Sequence, residues 1–209
     1  MVLPPGAAYI DAGACRFTVW APYAEHVDVQ ISPGSGPCTP LRRGDGGYHS
    51  GMIHGVRPAT RYKYVLDGQM ALPDPASRYQ PEGVHGPSEV CSSEFPWTDD
   101  KWTGVRLEDY IIYELHVGTF THEGTFDAVV ERLSDLKALG ITAIELMPVA
   151  QFPGERNWGY DGAYPYAVHN SYGGPDGLRR LVNACHSQGL AAILDVVYNH
   201  FGPEGNYAG

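Results

Sequence analysis

Two hydrophobic periods follow one another along the chain. From Cys15 to about Gly68 apolar and polar positions alternate: Phe17 and Val19 point one way, Arg16 and Thr18 the other. Val27, Val29 and Ile31 repeat the pattern, as do Tyr62, Tyr64 and Leu66. A period of two sets successive side chains on opposite faces of a strand. Turn clusters separate the runs, at Ser32-Pro33-Gly34-Ser35-Gly36-Pro37, at Gly44-Asp45-Gly46-Gly47 and at Asp67-Gly68. This spacing predicts an antiparallel β-sandwich, placed at residues 1–95. The stretch from Leu72 to about Glu108 carries Pro73, Pro75, Pro81, Pro87 and Pro96 and keeps no period. It reads as a connection, with 96–108 as the linker.

From Asp109 onward the pattern changes. Tyr110–Val117, Ile141–Val149 and Leu190–Tyr198 are apolar runs, which suit strands buried on both faces of a parallel sheet. Between the first two, Phe126, Val129, Val130, Leu133, Leu136 and Leu139 keep helical spacing, with Thr125 placed to cap the start and Gly140 to end it. Between the second and third, Pro175 opens a helix whose buried stripe is Leu178, Leu181, Val182 and Cys185, closed by Gly189. Strand, helix, strand, helix, strand makes two right-handed crossover units. A doubly wound nucleotide-binding sheet and a (β/α)8 barrel both begin this way. The first strand-to-helix turn holds Gly118 and Gly124, too far apart for GxGxxG, and no phosphate loop occurs elsewhere. The prediction is therefore a sandwich followed, at 109–209, by the first three βα units of an incomplete (β/α)8 barrel.

Bulk properties narrow the partners. A net charge of −10 argues against nucleic acid and anionic membrane, both of which reward basic surfaces, and leaves neutral ligands open. No apolar run approaches the ~20 residues of a membrane helix, and residues 1–14 lack the pattern of a signal peptide. Cys15, Cys38, Cys91 and Cys185 form no metal pattern and read as free thiols of a cytoplasmic protein.

In such barrels the active site is built from loops after the C-terminal ends of the strands. The second of these, Ala150–Gly174, is far longer than the usual ~2–6 residues and shows neither helical nor strand character. It holds Asn157, Trp158, Gly159, Tyr160, Asp161 and Gly162, then Tyr164, Tyr166, His169 and Asn170. Flat rings cover the apolar face of a sugar, while amides, imidazoles and carboxylates bind its hydroxyls. Tyr160 is assigned to ligand contact; for Trp158 both loop packing and ligand contact stand open. The third strand finishes in Asp195-Val196-Val197-Tyr198-Asn199-His200, three polar groups at the reactive end of an apolar strand.

That last segment matches DxxxNH at the third strand of the α-amylase superfamily. Gly140-Ile141 leading to Leu146-Met147-Pro148 resembles its second-strand motif. Phe17-Thr18-Val19-Trp20-Ala21-Pro22 is similar to the opening of the sandwich that precedes the barrel in branching, debranching and trehalose-forming members. The likeness is greatest to the trehalose-releasing members. It is carried by Leu72 to Pro81 (Leu-Pro-Asp-Pro-Ala-Ser-Arg-Tyr-Gln-Pro), Val84-His85-Gly86-Pro87-Ser88, Tyr113 to Phe120 and Asn157 to Gly162. A glycogen branching enzyme is the alternative within the family, and a non-catalytic carbohydrate-binding fragment, with Trp20 in the sandwich, is the alternative outside it.

The resemblance implies a retaining hydrolase of α-1,4-glucosidic bonds acting on a malto-oligosaccharide capped by trehalose. Tyr160 corresponds to the tyrosine that stacks on the sugar at the non-reducing side of the cleaved bond. His200 corresponds to the histidine that bonds that sugar's primary hydroxyl, and Asp195 and Asn199 to residues bracing the site. Trp158 and Asp161 complete the expected substrate-binding set. The family's catalytic carboxylates lie on its fourth, fifth and seventh strands, so no catalytic residue is assigned here; no metal or cofactor is expected, and the oligomeric state is open. The isolated segment is expected to hydrolyse no glucan and to stay soluble only with its open strand edges covered.

Overall fold

The computed structural model describes residues 4–11, 13–32, 34 and 36–207. Pro33 and Ser35 of the first expected turn cluster, and residues 1–3 and 208–209 at the ends of the two expected domains, lie outside the described residues.

The alternating region and its flanks form, among the described residues, nine antiparallel strands: β1 (Gly6–Asp11), β2 (Ala14–Trp20), β3 (Val27–Ile31), β4 (Cys38–Pro40), β5 (Arg42–Arg43), β6 (Tyr48–His54), β7 (Arg61–Leu66), β8 (Met70–Leu72) and β9 (Ser88–Glu89). One sheet runs β1-β2-β6-β5 and the other β4-β3-β7-β8, with β9 also paired to β7. The period-two residues make the core between them: Phe17 and Val19 meet Val27, Val29, Tyr62 and Tyr64, with Phe17 edge-on to Tyr62 at 4.9 Å. Thr18 departs from the alternation and is buried on the opposite face. It pairs in register with Gly6, where an added Cβ would meet Ala76 O at 2.9 Å, so the segment around Ala76 roofs that face.

That segment belongs to the stretch read as a connection without a period, and polar contacts order it. Asp74 accepts from Tyr62 Oη at 2.6 Å and from Ala76 N at 2.8 Å, while its own N–H donates to Ser88 Oγ at 2.9 Å. Burial pushes the Asp74 carboxyl up to about 6 against those bonds. Glu89 N donates to Tyr79 O at 3.0 Å, which closes residues 79–89 into a tab. Gln80 fills its centre, accepting from Ser88 Oγ and donating to Gly83 O and Gly86 O. The next stretch is also fastened down: Ser92 O accepts from Arg179, Thr98 bonds Asn183, and Asp99 and Trp102 hold His186. Prolines erase the period here, but carbonyls and short polar side chains supply the order.

The second half holds three parallel strands, β10 (Ile112–Leu115), β11 (Ala143–Leu146) and β14 (Ala191–Leu194), in that order across the sheet. All three are shorter than their apolar runs. Tyr113, Leu115, Ile144, Leu146 and Ala192 face the helices, packing on Phe126, Val129, Leu133, Leu181 and Cys185. The other face is only partly buried: Ala143 and Ala191 are covered there, but Ile112 is 49% exposed. On it Glu114 and Glu145 stand side by side in register.

The predicted helix over 126–139 is two pieces, α2 (Phe126–Val130) and α3 (Leu133–Leu139), following a short α1 (Val117–Phe120). At the break Arg132 N reaches Val129 O, a tighter i→i−3 turn that keeps the apolar face continuous. Leu139 leaves the stripe and is 72% exposed. Thr125 caps α2 by accepting from Ala128 N at 3.3 Å, and Gly140 ends α3 at φ 96°. Thr125→Ala is expected to cost about 1 kcal/mol, read as a lowered melting temperature. The last helix, α4 (Gly174–Ser187), carries Pro175 in its first turn as predicted. Its positive-φ start at Gly174 lies against Tyr79 of the tab, 2.7 Å from where a Cβ would sit. Among the described residues no helix is long and apolar enough to cross a membrane.

Candidate functional site

The long loop after β11 is not structureless. It opens with β12 (Ala150–Gln151), which pairs antiparallel with β13 (Tyr164–Val168), and closes with a 3-10 turn at Asn170–Tyr172. Two-residue strands carry no legible period. The base is a clasp: buried Gln151 accepts from Asn170 N at 2.9 Å and donates to Asn170 Oδ1 at 3.2 Å. Beneath it His169 is buried, stacked on Phe152 at 3.6 Å, with no hydrogen-bond partner for either ring nitrogen. Burial without a partner lowers its pKa to about 4, so the ring is neutral.

At the loop's tip Asn157 sets the turn. Its Oδ1 accepts from Gly159 N at 2.8 Å and Asp161 N at 3.4 Å, and its Nδ2 donates to Asp161 Oδ2 at 2.8 Å. His116, which follows β10, donates from Nε2 to Asn157 O at 2.7 Å. Its Nδ1 then accepts from Thr119 Oγ1 at 3.2 Å, which fits that tautomer. Gly159 takes φ 98° and passes 2.1 Å, at its hypothetical Cβ, from Pro148 O. The turn thus lies directly on the end of β11.

This turn meets the segment after β14. Tyr160 Oη donates to Asp195 Oδ2 at 3.1 Å, and His200 Nε2 donates to Tyr160 O at 2.8 Å. Gly202 N donates to Gly162 O at 2.9 Å, and a Cβ on Gly202 would sit 2.0 Å from Asp161 O. The bond to Asp195, then local desolvation and the charges of Asp195, Glu114 and Glu145, raises the Tyr160 phenol's pKa and keeps it protonated. Asn199 Oδ1 lies 3.2 Å from His200 Nδ1. Tyr160, Asp195, His200 and Asn199 therefore form one group, with Asp161 beside it through Asn157. Trp158 stands apart as the most exposed ring of the loop, at 76% against 38% for Tyr160. Both His200 ring nitrogens have neighbours, Nε2 the Tyr160 carbonyl and Nδ1 the Asn199 amide oxygen. Gln151, Asn157 and His116 gave no sequence signal of their role. Glu114 and Glu145 did, as lone charges inside apolar strand runs.

A model of the alpha amylase catalytic domain matches residues 89–208, more than half of the chain. The chain belongs to the alpha-amylase family. A model of carbohydrate-binding module 48, the isoamylase N-terminal domain, matches residues 4–80, which form most of the sandwich. Malto-oligosyltrehalose trehalohydrolase from Saccharolobus solfataricus is 56% identical, over 95% of this chain and 35% of its own length. The protein of that name from Deinococcus radiodurans is 49% identical, over 97% and 33%. A crystal structure from Salmonella typhimurium, provisionally named an alpha amylase, superposes with a TM-score of 0.93 at 45% identity, covering 99% of this chain and 35% of that one. The chain spans about a third of the length of the curated relatives it matches. Within the alpha-amylase family the sheet order β10-β11-β14 is thus the start of a barrel, which settles a choice that strand order alone leaves open, since a doubly wound sheet has the same beginning.

The sandwich offers a cleft of about 340 Å³ lined by Trp20, Tyr23, Leu66, Pro75 and Tyr207. Its polar atoms are largely taken. Trp20 Nε1 donates to Gly46 O, Tyr207 Oη bonds His85, and Asp74 is buried on Tyr62. A cleft so short of free hydrogen-bonding groups suits sugar hydroxyls poorly.

Proposed function

We propose that this chain is part of a retaining α-glucan hydrolase that releases trehalose from malto-oligosyltrehalose, and that it supplies substrate contacts while the nucleophile and the acid stand on further barrel strands. The observation that carries this reading is the 56% identity to a trehalohydrolase over 95% of the chain, beside the meeting of Tyr160, Asp195 and His200. In it the Tyr160 ring lies against the sugar on the non-reducing side of the cleaved bond, its hydroxyl fixed by Asp195. His200 meets that sugar's primary hydroxyl, Asn199 and Asp161 brace the pair, and Trp158 offers an exposed face to the glucan chain. Three strands leave the sheet's Glu114 face open, so this segment by itself turns over no glucan.

The reading divides the chain into a sandwich at 1–95, a connector at 96–108 and barrel at 109–209. It places the protein in the cytoplasm, where the free thiols Cys15, Cys38, Cys91 and Cys185 persist. Its partner is a trehalose-capped malto-oligosaccharide. The test is turnover of maltosyl-trehalose by the whole protein. Equimolar maltose and trehalose are expected; new branch points in amylose, with no trehalose released, overturn the reading in favour of a branching enzyme. Tyr160→Ala is expected to lower kcat/KM about tenfold, the effect of one lost ring contact.

A further inference from the structure

The tab at 79–89 carries much of the trehalohydrolase-like sequence, yet it lies outside the substrate group. Two of its polar side chains order its interior. Gln80 fills its centre, and Ser88 bonds both Gln80 and Asp74 N. What it presents to the Tyr160 loop is backbone. Pro81 O accepts from Asn170 Nδ2 at 3.1 Å, and Val84 O accepts from Tyr164 Oη at 2.7 Å. Both donors belong to the substrate loop. Asn170 is half of the clasp at its base, and Tyr164, buried, opens β13 just four residues after Tyr160.

The tab also touches the second arm of the site. Val84 packs where Gly205 leaves no room for a Cβ, at 2.4 Å, and His85 Nδ1 bonds Tyr207 Oη at 2.7 Å. Gly205 and Tyr207 follow His200 on the segment that grips Tyr160 and Gly162. One rigid loop, anchored on β7 of the sandwich through β9, is therefore wedged against both pieces of chain that meet at Tyr160.

We propose that the tab is a template for the substrate site: its carbonyls, read by Tyr164 and Asn170, fix where the Tyr160 loop and the His200 segment come together. Tyr164 and Asn170 are positioning residues that act through Tyr160. The proposal rests on the sugar-contact role given to Tyr160 above.

The test is a double-mutant cycle in the whole protein, read as kcat/KM on maltosyl-trehalose. Tyr164→Phe removes only the hydroxyl that reads Val84 O and is expected to lower kcat/KM about tenfold, the scale of one lost buried hydrogen bond. In a Tyr160→Ala background the same change is expected to cost less than about twofold, because the ring it positions is gone. Asn170→Asp keeps the shape, loses the donor to Pro81 O, and should behave alike. Equal losses with and without Tyr160 overturn the proposal, since a general loss of stability acts regardless of that ring. His85→Ala cuts the tab from the second arm and serves where either loop variant fails to fold; its loss too must vanish with Tyr160. Wild-type turnover reports separately on the functional reading. If the wild type remodels glucan without releasing trehalose, the same cycle is read on that reaction.

Discussion

Gly159→Ala is expected to lower kcat/KM of the whole protein on maltosyl-trehalose about a hundredfold while leaving the sandwich folded. Two penalties combine at this position. The backbone sits at φ 98°, where an L side chain costs on the order of 1–3 kcal/mol. The added Cβ would lie 2.1 Å from Pro148 O and 2.9 Å from Pro148 C, backbone atoms immediately after β11 that have nowhere to go. The turn must therefore lift off the strand end, carrying Tyr160 with it. A displacement of about 1 Å at a positioning contact costs roughly two orders of magnitude in rate. Gly154 in the same loop is the control. It has φ 74° but nothing within 4 Å of its Cβ position, so Gly154→Ala should strain the chain and spare activity to within about threefold. Comparable kcat/KM for the two variants would contradict this account of the turn.

The second large effect is on acid stability. His169 has its folded pKa lowered to about 4, against 6.5 for the free side chain, by burial with no partner. Between those values the unfolded chain takes up a proton that the folded one refuses. The stability is complete above pH 6.5 and is lost as pH falls toward 4, by about 3 kcal/mol at most. His49, buried in the sandwich and lowered by the same cause, adds in the same direction. Asp74 works the other way. Its carboxyl, raised from 3.8 to about 6, favours the folded state as pH falls through that window. The net slope mixes these, so a variant isolates one. His169→Phe keeps a ring against Phe152 and removes both nitrogens. Relative to wild type it should gain about 2 kcal/mol between pH 7.5 and pH 4.5 in thermal or urea unfolding. Parallel pH profiles for the two proteins would refute the assignment.

These expectations rest on features that differ in how far the sequence announces them. The sandwich strands are legible because Phe17, Val19, Val29, Tyr62 and Tyr64 alternate with polar neighbours, and a face buried on one side leaves that trace. The caps at Thr125 and Gly140 are legible because few residue types meet those backbone demands. Tyr160, Asp195 and His200 are legible one by one as polar groups at strand ends and in a long loop. Their meeting is not, since it depends on bonds spanning 35 and 40 residues. The helix break at Arg132 is silent because a tightened turn preserves the apolar stripe. The pairing of β12 with β13 is silent because it spans too few residues to show a period. The order of the tab is hidden for a different reason. It is built from carbonyls and from Gln80 and Ser88, groups that look the same in a loose connector.

The tab also bears on how such proteins are assembled from parts. The matches to the two family models stop at residue 80 and resume at residue 89, so the seam between modules runs through the tab itself. Pro81, Val84 and His85, in the unclaimed interval, hold the loop that carries Tyr160 and the strand-end segment that carries His200. A chimera spliced at that seam, with sandwich from one parent and barrel from another, would inherit mismatched contacts beneath the Tyr160 loop and the His200 segment. The units that shuffle freely on paper are, in this molecule, heritable only together with the joint between them.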